Sequence, residues 1–513
     1  MKSIIIRVIL IALVCVLMVS CARTGVLGSE IGSAENASAD PEAEASAEPD
    51  GTPVAVKAYI VVRGFEWGPG VNKVVLELDE PVDGVCPDEY IYVFTTHWDR
   101  EVTAVYLSNR MGYEVEEPSQ YVTFELATSY DCGGSPFEYD PMGTQHNYWA
   151  ETYPVILSVT VEEGGERFAL QFEGDCIGNH FSPDVVAFTE LGSFSGEYFN
   201  MLHGETETLS LNYAAYEPAG TAGGERNPLI IWLHGRGEGG DDIEITLLAN
   251  EVSALTEEQI QSHFTSGSET GAYVLVPQVP TCWRDAGDGV EHVGDMPSRY
   301  QEMLMDLINA YIEENSDVDP DRIYLIGASN GGYMVLEMIE HYPDTFAAAV
   351  PVSPGLAYSV YAREYNGSYR TIFGQEVKTG DTYLTDEKIE LLKQTPIWIV
   401  GAATDTVTPV LEYSVPLYHA LVSAGAENCW CTMYQDVIGE ESANASYLGH
   451  WAWIYLLNDQ VRCVQDPVRI AESDENTFYY GFAPDKNGGE LWVPDGYGGV
   501  YGNLFDWLND QTL

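Results

Sequence analysis

The feature that most constrains the fold is a series of nearly continuous apolar runs in the second part of the chain. Strands that are apolar on both faces belong in a sheet that is covered on both sides, as parallel sheets are. Stretches with apolar residues at helical spacing, 298–314 and 331–342, alternate with these runs. The pattern predicts an α/β domain with a mostly parallel sheet. The runs are PLIIWLH (228–234), AYVLVP (272–277), RIYLIG (322–327), AAAVPVS (347–353), PIWIVG (396–401) and NCWCTMY (428–434).

The first part of the chain, from about Pro53 to Thr189, has a different pattern. Short runs rich in Val, Tyr, Phe and Thr, several of which alternate apolar and polar residues, are separated by Gly, Pro and Asp. About seven such runs over roughly 130 residues favour an antiparallel sandwich of immunoglobulin type. We place this all-β domain at 54–193 and the α/β domain at 194–513. The scattered histidines of the sandwich are interpreted as structural or surface residues: His97, His146 and His180.

The N-terminus has the pattern of an export signal. Lys2 and Arg7 accompany an apolar stretch that is too short and wrongly flanked for a comfortable membrane span. The stretch ends in LMVSC, which resembles a bacterial lipobox. The resemblance implies removal of a signal peptide, residues 1–20, and lipid attachment to the thiol of Cys21. The alternative is an ordinary secretory signal with an incidental cysteine.

Residues 21–53 are predicted to be a disordered linker. From residue 28 onward they are rich in Ser, Ala, Glu and Pro and carry almost no large apolar side chains, so they cannot bury a core of their own. Such a segment would be a flexible tether between a lipid anchor and the folded domains. The predicted location is therefore extracytoplasmic, as a bacterial cell-membrane lipoprotein or a secreted protein.

The charge of the chain excludes one class of partner. The formal net charge is −58, from 80 acidic and 22 basic residues, whereas nucleic-acid binding depends on Lys and Arg that neutralise phosphates. The acidity is interpreted as a solvated surface. The chain has nine cysteines, none in CxxC or zinc-like spacing with histidines, so no metal site is predicted. Export permits disulfides, but their pairing stays open.

The most informative local motif is G-x-S-x-G around Ser329. It follows the run RIYLIG and precedes the helical pattern YMVLEMIEHY, which is the strand–turn–helix context of a nucleophile elbow. The turn is sharp, so the flanking positions must be small, and Gly327 and Gly331 meet that need. The motif predicts that Ser329 is a nucleophile, although a simple tight turn has the same local pattern.

A serine hydroxyl needs a base, and the base needs a carboxylate that orients it. His450, in YLGHWAW, follows the last core run, and Asp405, in GAATDTVTPV, follows the run PIWIVG. The carboxyl ends of parallel strands meet at the ligand-binding edge of an open sheet. The order Ser329, Asp405, His450 is that of an α/β-hydrolase triad. Read singly, His450 would be a packed histidine and Asp405 a turn aspartate.

Oxyanion donors are predicted on two further segments. The backbone N–H of Asn330 opens the helix after the nucleophile, and the loop HGRGEGGDD (234–242) follows the first core run. We assign the second donor to Arg236, with Gly235 and Gly237 as alternatives and as residues lining the substrate pocket. A flexible Gly-rich turn is the other interpretation. The loop lacks the Lys-Ser/Thr of a P-loop, so nucleotide binding is not expected.

These segments together resemble exported α/β-hydrolase-fold esterases. The matching motifs are LHGRGEGGDD, VPQVPTCW, residues 319–356, TPIWIVGAATDTVTPV and GHWAW. They resemble the polyhydroxybutyrate-depolymerase-like and predicted-peptidase-like relatives of the prolyl oligopeptidase superfamily, in the subgroup with an immunoglobulin-like N-terminal domain. The resemblance implies a carboxylic-ester hydrolase whose triad is Ser329, Asp405 and His450.

This chain departs from the family pattern at three places. The elbow often has Met where Asn330 stands, and the oxyanion loop usually has a small residue where Arg236 stands. The chain also carries an insertion, 456–500, which could shape a cap together with 357–385. Trp283 and Trp451 are predicted to line a substrate pocket, with core packing as the alternative.

The sequence therefore predicts a serine esterase that needs no cofactor and acts on a small-molecule or polymer-borne ester. A serine peptidase of the prolyl-oligopeptidase type would use the same triad. A non-catalytic surface binding lipoprotein is a third interpretation, against which the intact triad argues.

Overall fold

The computed structural model describes residues 52–513 except 97, 133, 219–225, 266–269, 293–295, 365–369, 373–374, 443–444 and 467–483. The predicted signal peptide, Cys21 and nearly all of the linker lie outside the described residues, as does His97. Residues 53–513 form one unit, so contacts between the two domains are part of the structure.

The N-terminal domain is built from strands whose residues alternate between core and surface. In the strand Pro154–Glu163 every second side chain from Val155 to Val161 is buried, because side chains alternate across a strand. The strands are β1 (Ala55–Phe65), β2 (Gly68–Val82), β3 (Gly84–Val85), β4 (Tyr92–Thr95), β5 (Trp98–Asp99), β6 (Val102–Ser108), β7 (Ser119–Leu126), β8 (Phe137–Tyr139), β9 (Asn147–Trp149), β10 (Pro154–Glu163), β11 (Glu166–Asp175) and β12 (His180–Phe181).

Two sheets of this domain face each other across an apolar core. One has the order β12-β1-β2-β7-β6, and the other has β11-β10-β4-β5 with β3 paired to β10. Side chains from both sheets, such as Leu76, Phe124 and Leu157, are fully buried in one cluster. The β8–β9 hairpin stands apart from both sheets. The predicted antiparallel sandwich is confirmed, except that β1 and β12 pair in parallel.

The C-terminal domain has a large sheet. Its strands are β13 (Glu190–Asn200), β14 (Glu205–Tyr216), β15 (Asn227–Leu233), β16 (Tyr273–Gln278), β17 (Val318–Ala328), β18 (Ala348–Val352), β23 (Ile397–Ala402) and β24 (Cys429–Tyr434). The smaller strands are β19 (Ser359–Tyr361), β20 (Thr371–Ile372), β21 (Gln375–Glu376), β22 (Lys378–Thr382), β25 (Val437–Ile438), β26 (Ser446–Tyr447), β27 (Cys463–Val464) and β28 (Leu491–Trp492).

Helices cover the large sheet. They are α1 (Ile243–Ala249), α2 (Glu258–Gln261), α3 (Gln301–Glu314), α4 (Asn330–His341), α5 (Asp386–Leu392), α6 (Ser414–Ser423), α7 (Trp453–Leu457) and α8 (Leu504–Asn509). Every residue of β15, β16, β18 and β23 is buried, as expected for strands covered on both faces.

The strand order of the large sheet is β13-β14-β16-β15-β17-β18-β23-β24. The pairs from β16 to β24 are parallel, whereas β13, β14 and β16 pair antiparallel. The predicted α/β domain with a mostly parallel sheet is therefore confirmed. The predicted domain boundary at 193/194 falls inside β13, since β13 pairs with β14 from Glu190 onward and belongs wholly to the large sheet.

The described part of the 456–500 insertion lies along the edge strand β24. Gln465 donates its backbone N–H to the carbonyl of Cys431 at 2.7 Å, and Met433 donates to the carbonyl of Gly488 at 2.8 Å. These bonds cover an edge that would otherwise expose unpaired backbone groups. Residues 467–483 lie outside the description, so the predicted cap stays a prediction.

The cysteines beyond the signal are free thiols in the described structure: Cys86, Cys132, Cys176, Cys282, Cys429, Cys431 and Cys463. Within the described ranges, no helix has both the length and the apolar character needed to cross a membrane.

Candidate active site

Ser329 occupies a strained turn between β17 and α4. Its φ of 55° and ψ of −111° lie outside the regions that non-glycine residues prefer, as in nucleophile elbows. A Cβ on Gly327 would lie 2.7 Å from the backbone of Gly331, and one on Gly331 would lie 1.9 Å from the carbonyl oxygen of Leu233. Both flanking positions therefore require glycine, because strand and helix approach too closely for any side chain.

Three segments bring the predicted triad together. His450 Nε2 lies 2.8 Å from Ser329 Oγ, and His450 Nδ1 lies 2.9 Å from Asp405 Oδ2. His450 and Asp405 are 6% and 4% exposed, so these bonds are shielded from bulk water. His450 lies in a 3₁₀ turn, Gly449–Trp451, and Asp405 follows β23.

Asp405 is held by donors from its own loop. The backbone N–H groups of Val407 and Thr408 donate to Oδ1 at 2.8 and 2.9 Å. The hydroxyl of Thr408 donates to Oδ2 at 2.8 Å, beside His450 Nδ1. These donors satisfy the oxygens of the buried carboxylate and fix its orientation. Sequence reasoning did not identify Thr408; the TDTVT run, with a hydroxyl three residues after Asp405, was the available signal.

Two backbone N–H groups point out of helical first turns near Ser329. Asn330 is the first residue of α4, and Arg236 is the first residue of a 3₁₀ turn, Arg236–Glu238. The first N–H groups of a helical turn have no acceptor within that turn. A Cβ built on Gly235 would lie 3.7 Å from Ser329 Cβ, so this loop borders the serine. Asn330 therefore lies next to Ser329, and Arg236 lies next to a residue that borders the Ser329 side chain; their role as oxyanion donors stays a prediction.

Glu238 stabilises the same loop from behind. It is 7% exposed, and burial raises the pKa of its carboxyl from 4.5 to about 7, although hydrogen bonds from the Gly235 backbone and the Asn250 side chain oppose the shift. Its carbonyl oxygen accepts hydrogen bonds from Thr246 Oγ1 at 2.9 Å and from Gln278 Nε2 at 3.0 Å. Since the Gly235 N–H bonds to this carboxyl, Arg236 is better placed than Gly235 to act as an oxyanion donor.

His234, at the end of β15, is a buried neutral imidazole. Its Nδ1 lies 2.6 Å from the carbonyl of Gly235, and Val279 donates its backbone N–H to Nε2 at 3.2 Å. Desolvation lowers the pKa of this imidazole to about 4. His234 therefore fixes the start of the loop and does not act as a second base.

The Arg236 side chain turns toward the segment after β16. Its Nη1 bonds Glu291 Oε2 at 3.0 Å and lies 3.4 Å from Cys282 Sγ. Arg284 lies 3.5 Å from Glu291 Oε1 and donates to the carbonyl of Gly355 at 2.5 Å. The Arg236 guanidinium is therefore held by Glu291 and Cys282.

The tryptophans predicted to line a pocket have different environments. Trp283 is fully buried, and its indole N–H donates to the carbonyl of His234 at 3.1 Å, so its side chain is core and its assignment as pocket lining is wrong. Its backbone N–H donates to Asn330 Oδ1 at 2.7 Å, which fixes the elbow. Trp451 is partly buried and packs against the ring of Tyr447, with centroids 6.0 Å apart.

The immunoglobulin-like domain reaches the oxyanion loop through the β8–β9 hairpin. Asn147 Nδ2 donates to the carbonyl of Gly237 at 3.0 Å, and Trp149 Nε1 donates to Asp242 Oδ2 at 2.9 Å. A Cβ on Gly239 would lie 2.9 Å from His146 Nε2, so His146 is a packed residue at this contact. No sequence signal connected this hairpin to the loop, because the contact joins residues about ninety positions apart.

Comparisons with known proteins identify both domains. Residues 57–168 match the esterase Ig-like N-terminal domain, and residues 294–437 match the prolyl oligopeptidase family. A solved structure described as a thermostable esterase aligns with a TM-score of 0.56 and 22% identity, covering 79% of this chain and 96% of that chain. The chain has an α/β-hydrolase fold preceded by an immunoglobulin-like domain. At this identity the likeness to the solved structure shows the fold alone.

Two further relatives are more distant or partial. Poly(3-hydroxyalkanoate) depolymerase C of Paucimonas lemoignei is 27% identical over 197 residues, which are 37% of this chain and 40% of the depolymerase. The chain therefore spans about 40% of the length of that depolymerase. An acylaminoacyl peptidase of Pyrococcus horikoshii aligns over 80% of this chain and 56% of its own chain, at 16% identity and with a TM-score of 0.34. Together the two family matches agree with the predicted order of an esterase-type immunoglobulin-like domain followed by a domain of the prolyl oligopeptidase type.

Proposed function

We propose that the protein hydrolyses carboxylic esters through an acyl-enzyme on Ser329. The observation that carries the proposal is the hydrogen-bonded chain from Ser329 Oγ to His450 Nε2 at 2.8 Å and from His450 Nδ1 to Asp405 Oδ2 at 2.9 Å. A base within hydrogen-bond reach of a strained, glycine-flanked serine is the arrangement that activates a hydroxyl nucleophile. A third group orients that base.

In the first half of the reaction, Ser329 Oγ attacks the ester carbonyl carbon while His450 Nε2 accepts its proton. The negative charge that develops on the carbonyl oxygen is met by the N–H groups of Arg236 and Asn330. His450 then gives the proton to the leaving alcohol, and the acyl group stays on Ser329. Asp405 holds Nδ1–H toward itself, so that Nε2 is free to accept, and stabilises the imidazolium.

In the second half, a water molecule takes the place of the alcohol. His450 accepts a proton from that water as it attacks the acyl carbon, and the same N–H groups bind the oxyanion again. The carboxylic acid leaves and Ser329 Oγ recovers its proton. Every proton that is removed is returned, so these residues need no cofactor for the cycle.

A peptidase is the second candidate, because residues 294–437 match the prolyl oligopeptidase family. Both activities would use the same acyl-enzyme. The substrate class we propose is an ester, either a small molecule or one carried by a polymer, in keeping with the esterase Ig-like domain match.

Ser329 is tested with a fluorophosphonate probe and with paired substrates. We expect the folded protein to be labelled at Ser329, Ser329→Ala to be unlabelled, and p-nitrophenyl acyl esters to turn over faster than aminoacyl or prolyl p-nitroanilides. Faster turnover of the amides would favour the peptidase. A folded wild-type protein that takes no label would instead favour a non-catalytic binding protein.

We also propose that Cys21 is lipidated and anchors the hydrolase outside the cytoplasm. The support is the basic start, the apolar stretch and LMVSC at residues 17–21. Expression of the full chain in a bacterium with a fatty-acid analogue should label the wild type in the membrane fraction. Cys21→Ser should lose the label, while Cys15→Ser, within the signal, should keep it. Label that persists in Cys21→Ser would refute the anchor.

A further inference from the structure

Glu66 is a sandwich residue that is buried in the catalytic domain. It lies in the turn between β1 and β2 and is 3% exposed. Its backbone N–H donates to Glu441 Oε2 at 2.9 Å, which ties the turn to the catalytic domain. The rings of its two sequence neighbours, Phe65 and Trp67, stack on each other with centroids 4.7 Å apart, which stiffens the turn.

The Glu66 carboxylate organises the loop between β25 and β26. The backbone N–H groups of Glu440 and Glu441 donate to it at 3.0 and 3.1 Å, and that of Ser442 donates at 3.4 Å. A Cβ on Gly439 would lie 2.0 Å from Glu66 Oε1, so the loop is shaped around this carboxylate. A buried charge is tolerated when donors surround it, and such charge-assisted bonds are the strong ones.

The same carboxylate bonds both flanks of the segment that carries His450. Tyr447 donates its hydroxyl to Glu66 Oε1 at 2.7 Å, and Asn458 donates its side-chain amide to Oε2 at 2.9 Å. Between them lie the 3₁₀ turn with His450 and helix α7. The Tyr447 ring also packs against Trp451, the residue after His450.

We propose that Glu66 is a positioning residue for His450, so that the immunoglobulin-like domain contributes to the geometry of the active site without touching the substrate. The inference rests on the proposed function. The bonds that His450 makes to Ser329 and Asp405 depend on where its segment lies, and a displacement of about 1 Å in a catalytic group costs on the order of 100-fold in rate.

Glu66→Gln tests the inference, because it keeps the shape of the side chain but turns one oxygen into an NH₂ group that faces donors. We expect kcat for a p-nitrophenyl ester, per active site titrated, to fall about 10- to 100-fold. KM should change much less, and fluorophosphonate labelling should slow in parallel. Tyr447→Phe keeps the ring, removes one of the bonds and should give a smaller fall in kcat.

The matched control is Ser182→Ala. It removes a contact between the same two domains, from Ser182 Oγ to Glu244 Oε2 at 3.3 Å, that does not involve the His450 segment. We expect wild-type kcat for this variant. A role for Glu66 in domain docking alone would lower the melting temperature and leave kcat per titrated site unchanged.

Hydrogen exchange provides a readout that does not depend on activity. Amides of residues 447–458 should exchange faster in Glu66→Gln than in the wild type, and should be unchanged in Ser182→Ala. Unchanged exchange in this segment, or wild-type kcat per titrated site in Glu66→Gln, would overturn the inference. Faster exchange in a protein whose wild type hydrolyses no ester would support the positioning and count against the proposed function.

Discussion

Two loops near Ser329 each bury a carboxylate, and the two carboxylates differ in the groups that surround them. On the loop after β23, Asp405 accepts hydrogen bonds from two backbone N–H groups and from the Thr408 hydroxyl, and it also bonds His450. On the loop 234–242, desolvation raises the pKa of the Glu238 carboxyl to about 7, although hydrogen bonds from the backbone N–H groups of Gly235 and Glu238 and from the Asn250 side chain oppose the rise. The difference between them is a partner for the charge: Asp405 bonds His450, whereas desolvation is the largest influence on Glu238.

The contrast separates catalytic from structural tasks. In the proposed mechanism Asp405 stabilises the imidazolium that forms on His450, so the donors that orient Asp405 would support catalysis. Glu238 instead bonds the backbone of its own loop at Gly235, and with a pKa of about 7 its carboxyl titrates near neutrality. Asp405→Asn removes the carboxylate that bonds His450, and Glu238→Gln removes the titrating group on the other loop.

The largest expected effect is that of Asp405→Asn. An amide in place of the carboxylate favours the wrong tautomer of His450 and cannot stabilise the imidazolium, so kcat should fall about 10⁴-fold. The measurement is steady-state hydrolysis of a p-nitrophenyl ester at pH 7. Asp381→Asn, on the exposed strand β22, is the matched control and should keep wild-type kcat. A fall of less than about tenfold in Asp405→Asn would mean that Asp405 is not the orienting carboxylate.

A smaller effect is expected from Glu238→Gln, and it appears in stability as a function of pH. The pKa of Glu238 is 4.5 in a model peptide and about 7 in the fold. Between these values the folded state keeps a proton that the unfolded state has lost, so the free energy of unfolding falls as pH rises from about 4.5 to 7. Outside this window the group adds no slope.

The variant lacks this titration. The free energy of unfolding is measured by urea denaturation as a function of pH. The difference between Glu238→Gln and the wild type should change in favour of the variant by on the order of 2–3 kcal/mol as pH rises from about 4.5 to 7, and should then stay constant. Glu302→Gln, on the exposed face of α3, is the control and should follow the wild type. Parallel pH profiles for Glu238→Gln and the wild type would show that the carboxyl ionises freely in the fold.

Local patterns were sufficient to predict the fold and to single out Ser329, Asp405 and His450, which the fold brings together. The runs at 228–234, 322–327 and 396–401 each end within one residue of the C-terminal end of a strand, although β17 begins four residues before its run. Apolar residues on both faces leave such a run few places other than a covered sheet. The spacing of Gly327, Ser329 and Gly331 is set by one tight turn, so it is readable within five residues.

Other features depended on residues far apart in sequence. Trp283 was predicted to line a pocket, but the fold buries it behind His234. Glu66 and Tyr447 are 381 positions apart and Asn147 and Gly237 are 90 apart, and no local pattern links either pair. The β13 boundary was missed by a few residues because strands of both domains alternate polar and apolar residues there.

By itself, the sequence determined the two domain types, the covered sheet and the order of Ser329, Asp405 and His450, since periodicity, glycine spacing and strand ends are local properties of the chain. Only the tertiary structure decided which groups surround them. The partners of the Glu66 and Asp405 carboxylates come from segments that lie far along the chain, and burial by the folded core raises the pKa of Glu238 to about 7.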